Sequence, residues 1–156
     1  MWHYLALLCC ALLSLWTTSS HATIPIDENF HHAALGTELS YFCDPSNQLD
    51  IEAIKEKSFE PVAKPEVSFG FKQPTCWFKF KLENLQPFPV KLVLSSNFNI
   101  FDQIDLFSFF GDQYIKTSIG DTVDYSTREL QIRTLALPID LPARSEMQFY
   151  LRAQTT

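Results

Sequence analysis

The most constraining feature of this sequence is an alternation of apolar and polar residues with a period of two. The clearest example is the segment 76–83, in which Phe78, Phe80 and Leu82 alternate with charged side chains. The alternation recurs in segments 90–95, 104–107, 114–119, 130–133 and 147–152. Because successive side chains of a strand point to opposite faces of a sheet, this pattern predicts strands with one buried and one solvent-facing side.

Proline and glycine interrupt the alternation at regular intervals: at Pro87–Pro89, Gly111–Asp112, Gly120–Asp121, Pro138 and Pro142. Short strands at such spacing are typical of antiparallel sandwiches and barrels. Glu38–Asp44 is predicted to be a first strand. Leu49–Lys57 is predicted to be the one helix, since its acidic residues come early and its lysines late. The predicted fold class is all-β, an antiparallel β-sandwich with one short helix near the N-terminus.

The N-terminal segment has the layout of a secretory signal peptide. Leu5–Trp16 is almost wholly apolar, and it is too short to span about 30 Å of hydrocarbon. Ser20 and Ala22 suit a small-residue cleavage site. We therefore predict a signal peptide at 1–22, an irregular lead-in at 23–37 and the β-sandwich domain at 38–156. The alternative is a buried N-terminal helix.

Two cysteines, Cys43 and Cys76, follow the predicted signal peptide, which contains the other two. In an exported domain, a pair of cysteines favours one disulfide bond. Such a bond would add about 3–4 kcal/mol by restricting the unfolded chain. Two buried free thiols are the alternative.

The sequence contains few features of an enzyme. There is no Gly-rich phosphate loop, G-x-S-x-G or H-E-x-x-H motif, and the formal net charge of −6 disfavours nucleic acid as a partner. The adjacent pair His31 and His32 is predicted to be solvated rather than to bind a metal. Asp102 and Asp105 are read as solvated carboxylates, with calcium ligands as the less favoured alternative. No catalytic residue, cofactor or metal site is expected.

Trp77 is the most informative candidate ligand residue. It alternates onto the same face as Lys79 and Lys81, opposite the Phe78–Phe80 stripe. An indole ring among charges either serves as a platform for a ligand such as a sugar or is covered by the predicted helix or a neighbouring strand. The second reading is favoured, and both are kept.

Basic residues in the C-terminal part of the chain complete the candidate ligand site. Tyr150 and Arg152 form an aromatic and basic pair on the solvent-facing side of the last predicted strand, and Arg133 is a further candidate. Arg128 either binds a ligand or ties its loop to backbone carbonyls. The candidate ligand-binding residues are Trp77, Arg128, Arg133, Tyr150 and Arg152.

The order and spacing of the following motifs resemble one known family. They are Leu39–Pro45, Leu49–Glu52, Phe69–Phe71, Cys76–Asn84, Phe101–Phe107, Ile119–Asp121, Arg128, Leu137–Leu141 and Phe149–Arg152. Together, over 35–152, they are similar to the type 2 extracellular domain of seven-transmembrane receptors with diverse intracellular signalling modules (7TMR-DISM).

This resemblance implies a jelly-roll β-sandwich similar to carbohydrate-binding modules. It also implies a periplasmic ligand-sensing domain of a bacterial signal-transduction receptor, attached to the membrane through a receptor region outside this chain. The expected partner is a small molecule, with a carbohydrate as one candidate. The alternative is a periplasmic module for protein interaction or self-association without a small-molecule ligand.

Overall fold

The computed structural model describes residues 23–63, 75–96, 102–121 and 135–154. In these ranges the chain forms nine strands, one short α-helix and a 3-10 turn at Gly36–Glu38. The helix α1 spans Ile51–Lys55. The strands are β1 (Thr23–Ile26), β2 (Ser40–Asp44), β3 (Glu60–Pro61), β4 (Thr75–Asn84), β5 (Val90–Ser96), β6 (Gln103–Phe110), β7 (Gln113–Ile119), β8 (Leu135–Leu141) and β9 (Glu146–Gln154).

The strands belong to two sheets. The larger sheet has seven strands in the order β3-β2-β4-β9-β6-β7, and β1 also pairs with β4. The smaller sheet pairs β5 with β8. All of these pairs are antiparallel except β1 with β4, which is parallel. The all-β, sandwich-like fold predicted from the alternation is confirmed.

The main core lies between the two sheets and contains the predicted apolar stripes. Phe80 on β4 and Phe149 on β9 are opposite each other in register and almost wholly buried, and their rings stack at 5.1 Å. The smaller sheet contributes Leu137, Ile139 and Leu141. The burial predicted for the even-numbered face of β4 is therefore correct, because that face packs against a second sheet.

Besides the two-residue β3, two strands lie where the sequence pattern predicted none. β1 falls within the lead-in 23–37, where Ile24 and Ile26 are buried in the main core. β8 runs through Pro138, which was read as a break. Pro138 pairs with the exposed Val93 and is itself only partly buried, on the side of the strand away from the core. Proline is tolerated in a strand where its missing N–H is not required by a neighbouring strand.

The helix α1 is shorter than the predicted 49–57. Asp50 caps its N-terminus by accepting a hydrogen bond from the backbone N–H of Ala53 at 2.9 Å. Glu52 and Lys55 form an ion pair of 2.8 Å across one turn. A helix of this length is not stable alone in water, so its position depends on the apolar residues that it buries.

The predicted strand at 130–133 lies outside the described residues.

Candidate functional site

The face of the seven-stranded sheet that points away from the smaller sheet carries the candidate site, and we call it the outer face. The register places one residue from each of five strands in a row across it, namely Phe42 (β2), Trp77 (β4), Arg152 (β9), Asp105 (β6) and Ser118 (β7). The odd-numbered residues of β4, predicted to face away from the core, therefore do so.

Trp77 is covered rather than exposed. Its side chain is 1% exposed and belongs to a second apolar cluster, formed by Trp77, Phe107, Phe109 and Tyr150 of the sheet beneath Ile51 and Ile54 of α1. We call the four sheet residues the aromatic layer. The indole ring does not offer the open stacking surface that a ligand platform requires. Of the two alternatives for Trp77, the structure therefore shows the one in which the helix covers the indole ring.

Tyr150, predicted to face solvent, is also buried in the aromatic layer. Its ring packs edge-on against Phe109 at 5.6 Å and Phe59 at 5.9 Å. The Nζ of Lys79 lies 5.7 Å from the centre of the Tyr150 ring and 5.6 Å from that of Phe59. Burial lowers the pKa of Lys79, and the nearby charge of Lys81 lowers it further. Burial likewise raises the pKa of Tyr150.

A group of polar side chains surrounds Asp105, and we call it the polar cluster: Asp105, Gln103, Lys116, Ser118 and Arg152. Asp105 was read as solvated, yet it is 0% exposed. Its Oδ1 accepts hydrogen bonds from Ser118 (2.6 Å) and Gln103 (2.9 Å). Its Oδ2 lies 3.3 Å from Lys116 Nζ and 3.4 Å from Arg152 Nη1. These four partners compensate for the cost of enclosing a carboxylate away from water.

Three buried polar atoms beside this cluster have no hydrogen-bond partner among the described residues. They are Nε1 of Trp77, Nε of Arg152 and Oγ1 of Thr75. Thr75 and Trp77 are two residues apart on the same face of β4, and Arg152 is opposite Trp77 in register. The guanidinium carbon of Arg152 lies 5.9 Å from the Trp77 ring centre. Unpaired donors are therefore concentrated at this point of the outer face.

A disulfide bond fixes β2 against β4 next to the site. Cys43 and Cys76 are opposite each other in register and are joined, with their Cα atoms 4.0 Å apart. The next residue, Asp44, begins the turn that leads to α1. Its carboxylate accepts hydrogen bonds from the backbone N–H groups of Ser46, Gln48 and Leu49, each at 2.9 Å.

The environment of the Asp44 carboxyl controls its ionisation. Burial raises the pKa of Asp44, but the side-chain hydrogen bond from Ser46 and those from three backbone N–H groups outweigh it, so the net pKa is lowered. These bonds hold the turn in one conformation. The disulfide and this turn therefore position the segment that covers the aromatic layer.

A small depression lies on the β2 side of α1. It measures about 230 Å³ and is lined by Tyr41, Phe42, Cys43, Ser58 and Glu60. Ligand pockets for drug-sized molecules generally occupy about 300–1,000 Å³, so this depression is below the usual size. It contains none of the predicted ligand residues.

The β6–β7 hairpin carries exposed apolar side chains. Phe110, Tyr114 and Ile115 are all exposed, and Ile115 is the most exposed of the three. The Tyr114 ring, 41% exposed, rests on the Phe107 and Phe109 rings at 5.5 and 5.3 Å. The hairpin therefore extends the aromatic layer to the surface.

Of the five predicted ligand residues, the structure brings Trp77, Tyr150 and Arg152 together on the outer face. Arg128 and Arg133 lie outside the described residues. The prediction missed Asp105 and Lys116. Asp105 precedes Phe107 and Phe109 on one face of a strand, and a lone acid in an otherwise aromatic stripe was the signal for a buried partner. Within the described ranges, no group of three or more His, Cys, Asp or Glu residues could hold a metal ion.

The chain belongs to the 7TMR-DISM extracellular 2 family, whose model matches residues 36–156. No curated protein matches the sequence. The family consists of sensor domains of membrane receptors, which lie outside the cytoplasm and are not enzymes. In the part of the chain that the structure describes, no helix is long and apolar enough to cross a membrane.

Proposed function

We propose that this sensor domain binds a small polar molecule, with a carbohydrate as the first candidate, on the outer face between Tyr114 and the polar cluster. One observation carries the proposal: Tyr114 is 41% exposed and lies two residues away from the partly exposed Lys116, on the same side of β7. Residues so placed along a strand are about 7 Å apart. A single small molecule can contact both.

The chemistry of this surface fits a carbohydrate. The apolar face of a sugar ring packs on an aromatic side chain, and its hydroxyl groups need hydrogen-bond donors and acceptors at the edge. Tyr114 supplies the ring, and Lys116 and Arg152 supply partly exposed donors, with side chains 41% and 26% exposed. Small-molecule sites generally combine such apolar surface with a few polar groups that set orientation.

Rigidity beneath the surface favours a binding site. The Tyr114 ring is supported by the two buried rings of Phe107 and Phe109. Side chains held in this way lose less conformational freedom when a ligand binds, so more of the interaction energy appears as affinity.

A thermal-shift screen of the full chain against sugars, amino acids and organic acids tests the proposal. A ligand present at 100 times its dissociation constant should stabilise the domain by about 2.7 kcal/mol. Tyr114→Ser should weaken binding of the molecule found. Val93→Ser, which replaces another exposed apolar residue on the opposite sheet, should leave it unchanged. Equal affinity in the two variants would reject the outer face as the site.

The exposed hairpin favours a second candidate function, self-association or docking of a periplasmic protein. Phe110 and Ile115 expose apolar surface on one face of the hairpin and Tyr114 on the other, and exposed apolar surface often marks a site of interaction. Light scattering of the full chain at increasing concentration tests self-association. An Ile115→Lys variant should then remain monomeric where the parent chain dimerises. A monomer at all concentrations, together with a small-molecule hit, would decide for the first function.

A further inference from the structure

We propose that the polar cluster recognises the carboxylate group of its ligand, so that the domain binds an acidic sugar or another small carboxylate in preference to a neutral sugar. This inference rests on the proposed function and specifies its ligand class. It depends on the charges of the cluster, on the geometry of its ion pairs and on the unpaired donors beside it.

The charges of the polar cluster do not cancel. Asp105 contributes one negative charge, and Lys116 and Arg152 contribute two positive charges. Both oxygens of Asp105 are already engaged by the four other members of the cluster, and its side chain is fully enclosed. The two cations, in contrast, are partly exposed. The side of the cluster that meets solvent is therefore positive, and no second acidic side chain in the described ranges pairs with either cation.

The ion pairs within the cluster are loose. The contacts from Asp105 Oδ2 to Lys116 and Arg152 measure 3.3 and 3.4 Å, and Arg152 Nη2 reaches Gln154 at 3.3 Å. Charge-assisted hydrogen bonds between such groups are typically about 2.7–2.9 Å. Lys116 and Arg152 thus contact their partners only over long distances. Each can turn toward a second carboxylate without losing a short hydrogen bond.

The unpaired donors lie at the same place. Within the described ranges, Nε of Arg152 and Nε1 of Trp77 are buried without an acceptor, and leaving such a group unpaired is unfavourable. A carboxylate has two oxygens that only accept hydrogen bonds, and it pairs with the planar edge of a guanidinium through two parallel bonds. A neutral hydroxyl group has one oxygen and satisfies fewer of these donors. A carboxylate at Arg152 therefore fits this donor set better.

Comparison of D-glucuronate with D-glucose tests the inference, because the two share a ring and differ by the carboxylate. Melting temperature and titration calorimetry of the full chain should show binding of glucuronate at least about tenfold tighter than of glucose. Glucose is measured with sodium chloride at matched ionic strength. Added salt should weaken glucuronate binding, since exposed charge interactions are screened.

Single substitutions test which residues cause the preference for glucuronate. Arg152→Gln should reduce the affinity for glucuronate at least about tenfold and leave any glucose binding nearly unchanged. Lys116→Gln keeps the Arg152–Asp105 ion pair. It replaces Arg152→Gln as the test variant if Arg152→Gln fails to fold. Lys91→Gln removes an exposed lysine of the smaller sheet, paired with Asp140, and should change neither affinity.

The outcomes separate this inference from the proposed function. Glucose bound as tightly as glucuronate would overturn the carboxylate inference and leave carbohydrate sensing supported. Glucuronate binding that survives in both Arg152→Gln and Lys116→Gln would overturn the assignment to the polar cluster. Binding of neither compound, with a neutral molecule found in the wider screen, would overturn the inference alone.

Discussion

Trp77 lies with its indole ring enclosed between the sheet and α1, so replacing it with alanine measures how much the covered outer face contributes to folding. A buried aromatic residue removes about 150–250 Å² from water, which corresponds to about 4–6 kcal/mol at 25 cal/mol per Å². Measured truncations of buried aromatic residues to alanine cost about 3–5 kcal/mol. The indole N–H has no partner among the residues that the structure describes, so its removal relieves about 1–3 kcal/mol of desolvation. We therefore expect a net loss of about 3 kcal/mol.

Urea unfolding followed by circular dichroism measures this loss directly. At about 4 °C per kcal/mol, the melting temperature should fall by roughly 12 °C. Trp77→Phe, which keeps an aromatic ring and lacks the N–H, should lose much less. Tyr114→Ala removes a half-exposed ring of the same face and serves as the control. A loss below about 1 kcal/mol for Trp77→Ala would show that the ring is not covered by α1, and Trp77 would return as a candidate ligand platform.

Three further predictions concern the covering segment and the N-terminus. Reduction of the Cys43–Cys76 bond should destabilise the domain by about 2–5 kcal/mol, measured by urea unfolding with and without reductant; native oxidised protein that labels at two thiols would contradict the bond. Asp44→Asn should cost about 1–3 kcal/mol at pH 7. Because the folded pKa of Asp44 is lowered, its contribution is present above the ordinary value of 3.8 and is lost as pH falls further, so the difference between parent and variant should shrink in acid; a constant difference would contradict this linkage. Mass spectrometry of the exported protein should find Thr23 as the first residue, and an intact N-terminus would refute the signal peptide.

The period-two pattern predicted the inner face of the sandwich well because local sequence carries that information. Phe80 and Phe149 are buried where the alternation placed them, since the pleat of a strand fixes which face each side chain occupies. The same rule identified the face of Trp77 but not its environment. What covers a face depends on a segment elsewhere in the chain, in this case α1.

Asp105 shows why the candidate site was only partly predictable. Its alternation placed it on the outer face, where an acid normally meets water. Its burial results from Lys116 on one neighbouring strand and Arg152 on the other, and strand pairing is not readable from local composition. β8 was missed for a related reason: Pro138 is compatible with a strand only in the particular pairing that it adopts with β5.

The disulfide, the Asp44 turn and α1 form one continuous segment, and their order in the chain links stability to the site. α1 is five residues long, too short to hold its own position, and it begins soon after the Cys43–Cys76 bond and the Asp44 hydrogen bonds. Loss of either anchor should therefore loosen the cover over Trp77 before it disturbs the main core, which lies on the other face of the sheet. The guanidinium carbon of Arg152 lies 5.9 Å from the Trp77 ring centre across the paired strands, so a shift of the indole ring would change the surroundings of the guanidinium. The elements that stabilise α1 thus determine how firmly Trp77, which carries one of the unpaired donors, is enclosed.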